Sequence, residues 1–245
     1  MHALLLAATL ALVQTPADTS YLYKILLVRA APGQLLELID AYKERSIAYE
    51  EAGDGPVHIM RHSQGDHWDL FLVFPMESFE AYYAADRVRR RSQAFERTGM
   101  SAQAFEHELG PLVAWREELF AKGPPLDVVS STMREAGYYH VEMFVALPGK
   151  RAELFREREM ENAYLAQIDR PQNMIFTRVG GAAWDSFTLG AYRDLKHYAE
   201  SADVPEERQQ AAALAAGFDG ADRIGTYLRT LIQRHNDTLG GPVRE

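Results

Sequence analysis

Two landmarks recur along this chain in a single register, and that recurrence limits what it can fold into more than any other feature. The run Tyr21–Ala31 ends at Pro32-Gly33, and the similar run Tyr138–Leu147 ends at Pro148-Gly149. Trp68-Asp69 is likewise matched by Trp184-Asp185. Both pairs are offset by 116 residues (148 − 32 and 184 − 68), with no net insertion between them. A chain written twice at this period builds two copies of one unit, each resting against the other. The repeats are expected over 21–132 and 138–245.

The periodicity inside each copy predicts the same element order. Tyr23–Ala30 and Tyr139–Leu147 are rich in β-branched, aromatic and long apolar residues, which predicts strands. Helical spacing follows at Leu35, Leu38, Ile39 and Tyr42, and less cleanly at Leu154, Phe155, Arg158 and Ala163. Two short strands then flank a glycine-bearing turn: Val57–His62 and His67–Phe74 around Gly65, Met174–Val179 and Trp184–Leu189 around Gly180-Gly181. A second helical region runs from Glu77 or Arg193 to about Lys122 or Thr238, broken at Gly99 and Gly217. A fourth strand is expected at Leu126–Ser131, and only a stub of one at the C-terminus.

A βαββαβ unit is ferredoxin-like: α+β, an antiparallel sheet with both helices on one face. Its other sheet face is bare, and two units can cover each other sheet to sheet. With its element order and duplication over 21–245, the sequence resembles the dimeric α+β barrel superfamily, with NIPSNAP-like members as the nearest suspected relatives. The resemblance implies one pseudo-dimeric barrel within the chain, so a monomer would suffice. It implies no single reaction, because branches of the superfamily share a fold and differ in chemistry. The haem-degrading branch places an axial histidine on the second helix, where His197 falls. Leu195 and Tyr198 mark the apolar side of that helix, however, and Trp68 and Trp184 begin their strands where that branch has a Trp near the end. No haem residue is carried over, and no cofactor is expected.

Strand side chains alternate between faces, and the phase proposes candidate site residues. Phe71 and Val73, with Phe187 and Leu189, are assigned to the face under the helices, as are Tyr139, Val141, Met143 and Val145. The opposite phase then lines the barrel. It holds Trp68, Leu70, Leu72, His58, Met60, His62, Lys24, Leu26 and Val28 in the first copy. In the second it holds His140, Glu142, Phe144, Met174, Phe176, Arg178, Trp184, Ser186 and Thr188. The second copy's inner wall is thus the polar one. His140, Glu142, Arg178, Trp184 and Ser186, with His62 and Trp68 opposite, form the expected ligand-binding set for a small apolar or aromatic molecule. A carboxylate beside an imidazole can hold its tautomer and raise its pKa, so His140 is the candidate proton acceptor and Glu142 its orienting partner.

Composition and motifs exclude much of the remaining chemistry. The net charge of −9 lacks the cationic footprint of a nucleic-acid groove. The absence of cysteine removes disulfides, thiol nucleophiles and thiolate metal sites. Phosphate loops, GxSxG elbows and HExxH patterns are absent. His58 and His62 would stand ~13 Å apart on a strand, too far to share one ion, so no metal is expected. The basic run Arg87–Arg91 is expected to be neutralised by nearby carboxylates. The C-terminal segment with Arg229, Arg234, His235 and Asp237 is read as one helix packed through Ile224, Tyr227, Leu228 and Leu231. The function expected on these grounds is a non-enzymatic small-molecule-binding or interaction protein. The alternative is a cofactor-free monooxygenase-like or haem-related enzyme using the second copy's inner wall.

Ala3–Val13 is an unbroken apolar run, too short to span a bilayer, for which about 20 residues are needed. It has the length of a signal-peptide core, and Thr15-Pro16-Ala17 offers small residues for cleavage. Residues 1–17 are therefore expected to direct export to the periplasm or the outside. N-terminal sequencing of the protein from its native host should begin near Asp18, and an intact Met1 would overturn the expectation.

Overall fold

The computed structural model describes residues 20–99 and 101–244; the expected signal segment lies outside them. The first copy comprises β1 (Tyr21–Ala30), α1 (Leu35–Glu51), β2 (His58–Gln64), β3 (Leu70–Glu77), α2 (Phe79–Tyr82), α3 (Ala85–Arg97), α4 (Ala102–Leu109) and β4 (Val113–Gly123). A linker helix, α5 (Leu126–Glu135), leads into the second copy. That copy comprises β5 (Tyr138–Ala146), α6 (Arg151–Gln167), β6 (Met174–Gly181), β7 (Ser186–Tyr192), α7 (Leu195–Ala199), α8 (Glu206–Ala215), α9 (Ile224–Arg229) and β8 (Ile232–Pro242). The eight strands close into one antiparallel barrel in the order β1-β3-β2-β8-β5-β7-β6-β4. The α+β architecture of two units joined through their sheets is as the sequence implies. The copies join where β2 pairs with β8 and β4 with β6. No helix among the described residues is long and apolar enough to cross a membrane.

The repeated landmarks have a shared structural task. Asp69 Oδ2 accepts a hydrogen bond from Ala30 N at 2.8 Å, and Asp185 Oδ2 accepts one from Ala146 N at 2.9 Å. Each aspartate thereby ties the third strand's start to the first strand's end. The neighbouring Trp68 and Trp184 turn into the barrel, in the interior cluster. Gly65 and Gly181, also 116 apart, have φ of 121° and 89°. A Cβ on either would collide with a carbonyl of the opposite copy's fourth strand, Asp237 O or Glu118 O. Glycine is required there because the two copies touch backbone to backbone.

Both fourth strands lie elsewhere than expected. β4 occupies Val113–Gly123, which the sequence assigned to helix, and Leu126–Ser131 belongs to α5. The C-terminal helix stops at Arg229, and residues expected to continue it form the 11-residue β8. β4 alternates between exposed and covered side chains, but its Arg and Glu residues mask the apolar period. Val129 and Met133 of α5 join the barrel's interior cluster, so the linker helix closes one mouth. The basic run lies in α3, where Arg87 Nε and Arg91 Nη1 clamp the buried Asp54 at 2.5 and 2.6 Å, as neutralisation predicts.

The faces of the first and third strands are also the reverse of expectation. Tyr23, Ile25, Leu27, Phe71 and Val73 fill the barrel with Tyr139, Val141, Met143, Phe187 and Leu189. Leu26, Val28, Leu70 and Leu72 pack under α1 with Leu38, Ile39 and Tyr42. Phe144 packs under the second copy's helices with Leu154, Leu228 and Leu231. Met60, Met174 and Phe176 do face inward as assigned. The reversal has a simple cause. These strands are covered on both faces, so seven of the eight positions in β3 are buried and alternation carries no contrast.

At the interior's centre, Phe187 stacks on Phe176 at 4.4 Å and meets Phe71 edge-on at 5.4 Å, which joins the two copies through one aromatic cluster. Phe187→Ala should cost about 3–5 kcal/mol. Because the cluster is shared, denaturant unfolding followed by probes in each copy should shift as one transition. Separate transitions would show that the halves are independent.

Candidate functional site

Since apolar side chains fill the barrel, polar groups gather on its outside, beneath the helices of the second copy. There a cavity of about 490 Å³ lies between the β5–β8 ladder and helices α6 and α9. Glu142, His235 and Asp237 come from the ladder, Arg158 and Glu161 from α6, and Ile224, Leu228 and Arg229 from α9. A larger hollow of about 660 Å³ beside α5 is lined by Pro124, Pro125, Phe155, Met174 and the amides of Asn162 and Asn173. It holds no imidazole or carboxylate, so the smaller cavity is the chemical one.

Register builds the site. Glu142 pairs with Asp237, and Phe144 with His235, across β5 and β8. Positions two apart on a strand share a face, so His140, Glu142, His235 and Asp237 form one patch. His140 Nε2 lies 3.0 Å from Asp237 Oδ1. His235 Nε2 lies 3.4 Å from both Glu142 Oε1 and Asp237 Oδ1, without the alignment of a hydrogen bond. The His235 ring lies flat on Phe144, with ring centres 4.8 Å apart. Thr188 Oγ1 donates to Glu142 Oε2 at 2.8 Å, and Arg158 Nη1 approaches the same oxygen at 3.4 Å. Arg158, 1% exposed, also holds the fully buried Glu157 at 2.6 Å and touches Glu161.

The charges perturb one another. Burial opposes ionisation of Glu142, but His235, Arg158 and Thr188 hold its pKa below the usual carboxylate value. Burial also resists charge on the imidazoles, yet the contact with Asp237 prevails. His140 is raised, and His235 is pushed up to about 9. Asp237 is correspondingly held well below the ordinary range, its burial outweighed by the two histidines. Burial pushes Glu161 up to about 7 despite Arg158, with Glu142 and Glu157 adding to the rise. The pocket thus carries more acidic groups than its one buried guanidinium balances.

Of the sequence-predicted residues, the structure brings together His140 and Glu142, on the helix side and not inside the barrel. Ser186 shares their buried face, paired with Phe144. The other four lie apart from them. Arg178 forms an ion pair with Asp185 at 3.0 Å. Trp184 donates from Nε1 to Glu117 at 3.0 Å under the Arg234 guanidinium. His62 meets Trp68 edge-on at 5.8 Å, in the other copy. Sequence reasoning missed Arg158 and Glu161, and left His235 and Asp237 without a role. Two signals were available. His235-x-Asp237 mirrors His140-x-Glu142 once the segment is read as a strand, and Arg158 falls in the apolar helical spacing that starts at Leu154.

The donor set does not suit haem. The one imidazole lining the cavity is His235, whose Nε2 faces two carboxylates and whose ring is held against Phe144. His197 is engaged elsewhere, its Nδ1 accepting from Arg193 N at 3.1 Å.

Comparison with solved structures places this chain among proteins of the dimeric α+β barrel fold. An anthrone oxidase-like protein matches at a TM-score of 0.59, with 11% identity over 93% of each chain. A candidate monooxygenase from Fusobacterium nucleatum subsp. nucleatum matches at 0.55, with 9% identity over 93% of this chain and 94% of that one. Another from Lactobacillus acidophilus matches at 0.50, with 6% identity over 91% and 94%. No family model and no curated protein matches the sequence. At such identities the likeness is one of fold.

The Arg158 cluster generates a stability prediction. Removing one partner of a buried ion network strands the others. Arg158→Met should therefore destabilise the protein by about 3–5 kcal/mol in denaturant unfolding. A loss below about 1 kcal/mol would mean that the buried carboxylates are satisfied without it.

Proposed function

We propose that this chain is an enzyme acting on a small molecule bound in the helix-side cavity of the second copy. One observation carries the reading. His235, Glu142, Asp237 and Glu161 line one cavity of about 490 Å³, His140 stands beside it bonded to Asp237, and among the described residues the first copy has no such cluster. The corresponding positions of the first copy follow from matching registers, Leu26 with Glu118 and Val28 with Arg116. They are Lys24, Leu26, Arg116 and Glu118, which lack any imidazole–carboxylate pair. A repeat kept only for packing has no need of such a cluster, since buried polar groups cost stability.

The cavity suits a molecule with an apolar body and one oxygen-bearing end. Ile224, Leu228 and Ile232 provide an apolar side. His235 and Asp237 would meet a phenol, enol or ketone oxygen at the other end. An imidazolium donor stabilises an oxyanion there while a neighbouring carboxylate accepts the proton. This is the step that the chain's own groups can perform. Neighbours named for oxidase and monooxygenase chemistry make dioxygen the first co-reactant to test. The NIPSNAP-like branch shares the fold, and nothing in the cavity is particular to it.

A panel of phenols, naphthols and anthrones, followed by oxygen uptake and product mass, tests the proposal. At least one should turn over, and Glu142→Gln should lower kcat about 100-fold or more with the fold intact. Saturable binding at the cavity with no turnover across the panel would instead make the protein a non-enzymatic binder.

A further inference from the structure

We propose that His140, Glu142 and Asp237, with His235 beside them, form a site for one divalent transition-metal ion on the helix-facing side of the β5–β8 ladder. His140, Glu142 and Asp237 each offer a ligand atom within 4.8 Å of the other two. The measured separations are 3.0 Å between His140 Nε2 and Asp237 Oδ1, and 3.4 Å from His235 Nε2 to both carboxylates. Donors about 2.1 Å from a central ion lie about 3.0 Å apart in an octahedron and about 3.4 Å apart in a tetrahedron. The three measured separations are those of a coordination shell, and Glu142 stands within 4.8 Å of both His140 and Asp237.

Hydrogen bonding leaves part of the cluster unexplained. His235 Nε2 is shut away from solvent and has no hydrogen-bond partner, although two carboxylate oxygens stand 3.4 Å away. A cation held by His140, Glu142 and Asp237 would have this nitrogen beside it as a further donor. The surroundings are also built for orientation. Thr188 and Arg158 engage Oε2 of Glu142 and leave Oε1 toward His235. Such outer contacts fix a ligating carboxylate in place.

Imidazole nitrogen together with two carboxylates selects a first-row transition ion over magnesium or calcium, which prefer oxygen alone. The cavity next to the donors leaves room for water or substrate at an open coordination position, the arrangement of a catalytic rather than a structural metal. The first copy places Lys24 and Arg116 where the second has His140 and His235, so one ion per chain is expected.

The proposal deepens the enzymatic reading, since it rests on the same cavity, but its test reads binding and not turnover. The full-length chain, stripped with a chelator, is titrated with Zn²⁺ by calorimetry and with Co²⁺ by visible absorption. One ion per chain should bind, with Co²⁺ giving ligand-field bands of mixed nitrogen and oxygen coordination. Asp237→Asn and His140→Ala should each weaken Zn²⁺ binding by about 100-fold, while Lys24→Ala in the first copy leaves it unchanged. Asp237 is more than half exposed, so Asp237→Asn keeps the fold and decides the matter if His140→Ala does not. No saturable uptake, or undiminished affinity in Asp237→Asn, would overturn the metal site. Chelated protein that binds no ion yet turns over substrate would overturn it while leaving the enzymatic reading intact.

Discussion

A four-stranded sheet with its helices on one side leaves the other side bare, and the rest of this structure depends on how that side is covered. Neither copy can bury its open face alone. Together they enclose one apolar interior in which Phe71 of the first copy meets Phe187 of the second, itself stacked on Phe176. Burying side chains of that size contributes roughly 1.5–3 kcal/mol each, enough to make the copies one cooperative body. The closure also explains the glycines. Gly65 and Gly181 stand where each copy's hairpin meets the other's fourth strand, with no space for a side chain.

Filling the barrel decides where chemistry can go. An interior packed with aromatic and aliphatic side chains offers charges no partners, and burying them there would be costly. The helix-covered outer faces remain. In the first copy that space is occupied by Leu26, Leu72, Tyr42 and Phe105, a second apolar core. In the second, α6 presents Glu157, Arg158 and Glu161 to the sheet, and β5 and β8 answer with Glu142, His235 and Asp237. Duplication supplied two equivalent spaces; one became core and the other a charged cavity.

The charged space is held by a hierarchy of contacts. Arg158 neutralises Glu157 and steadies Glu142 and Glu161, while Phe144 supports the guanidinium and the His235 ring. These contacts orient the side chains nearest the cavity before any small molecule arrives, and such preorganisation lowers the cost of binding.

The sequence by itself determined the duplication, the element types as far as the third strand of each copy, and the barrel. Those follow from Pro-Gly and Trp-Asp at one offset and from local periodicity, which act over short distances. It also singled out His140 and Glu142, because i, i+2 neighbours share a strand face whichever way that face turns. It did not determine the direction. Sheets covered on both sides bury Leu70 and Phe71 equally, so only the packing of α1 and α6 shows which face is inside. Nor could local pattern find β4 and β8, whose charged residues obscure the strand period. With β8 read as a helix, His235 and Asp237 had no site to join. They stand about 95 residues from Glu142 along the chain (237 − 142) and reach it only through the β5–β8 register, a pairing that tertiary structure alone decides.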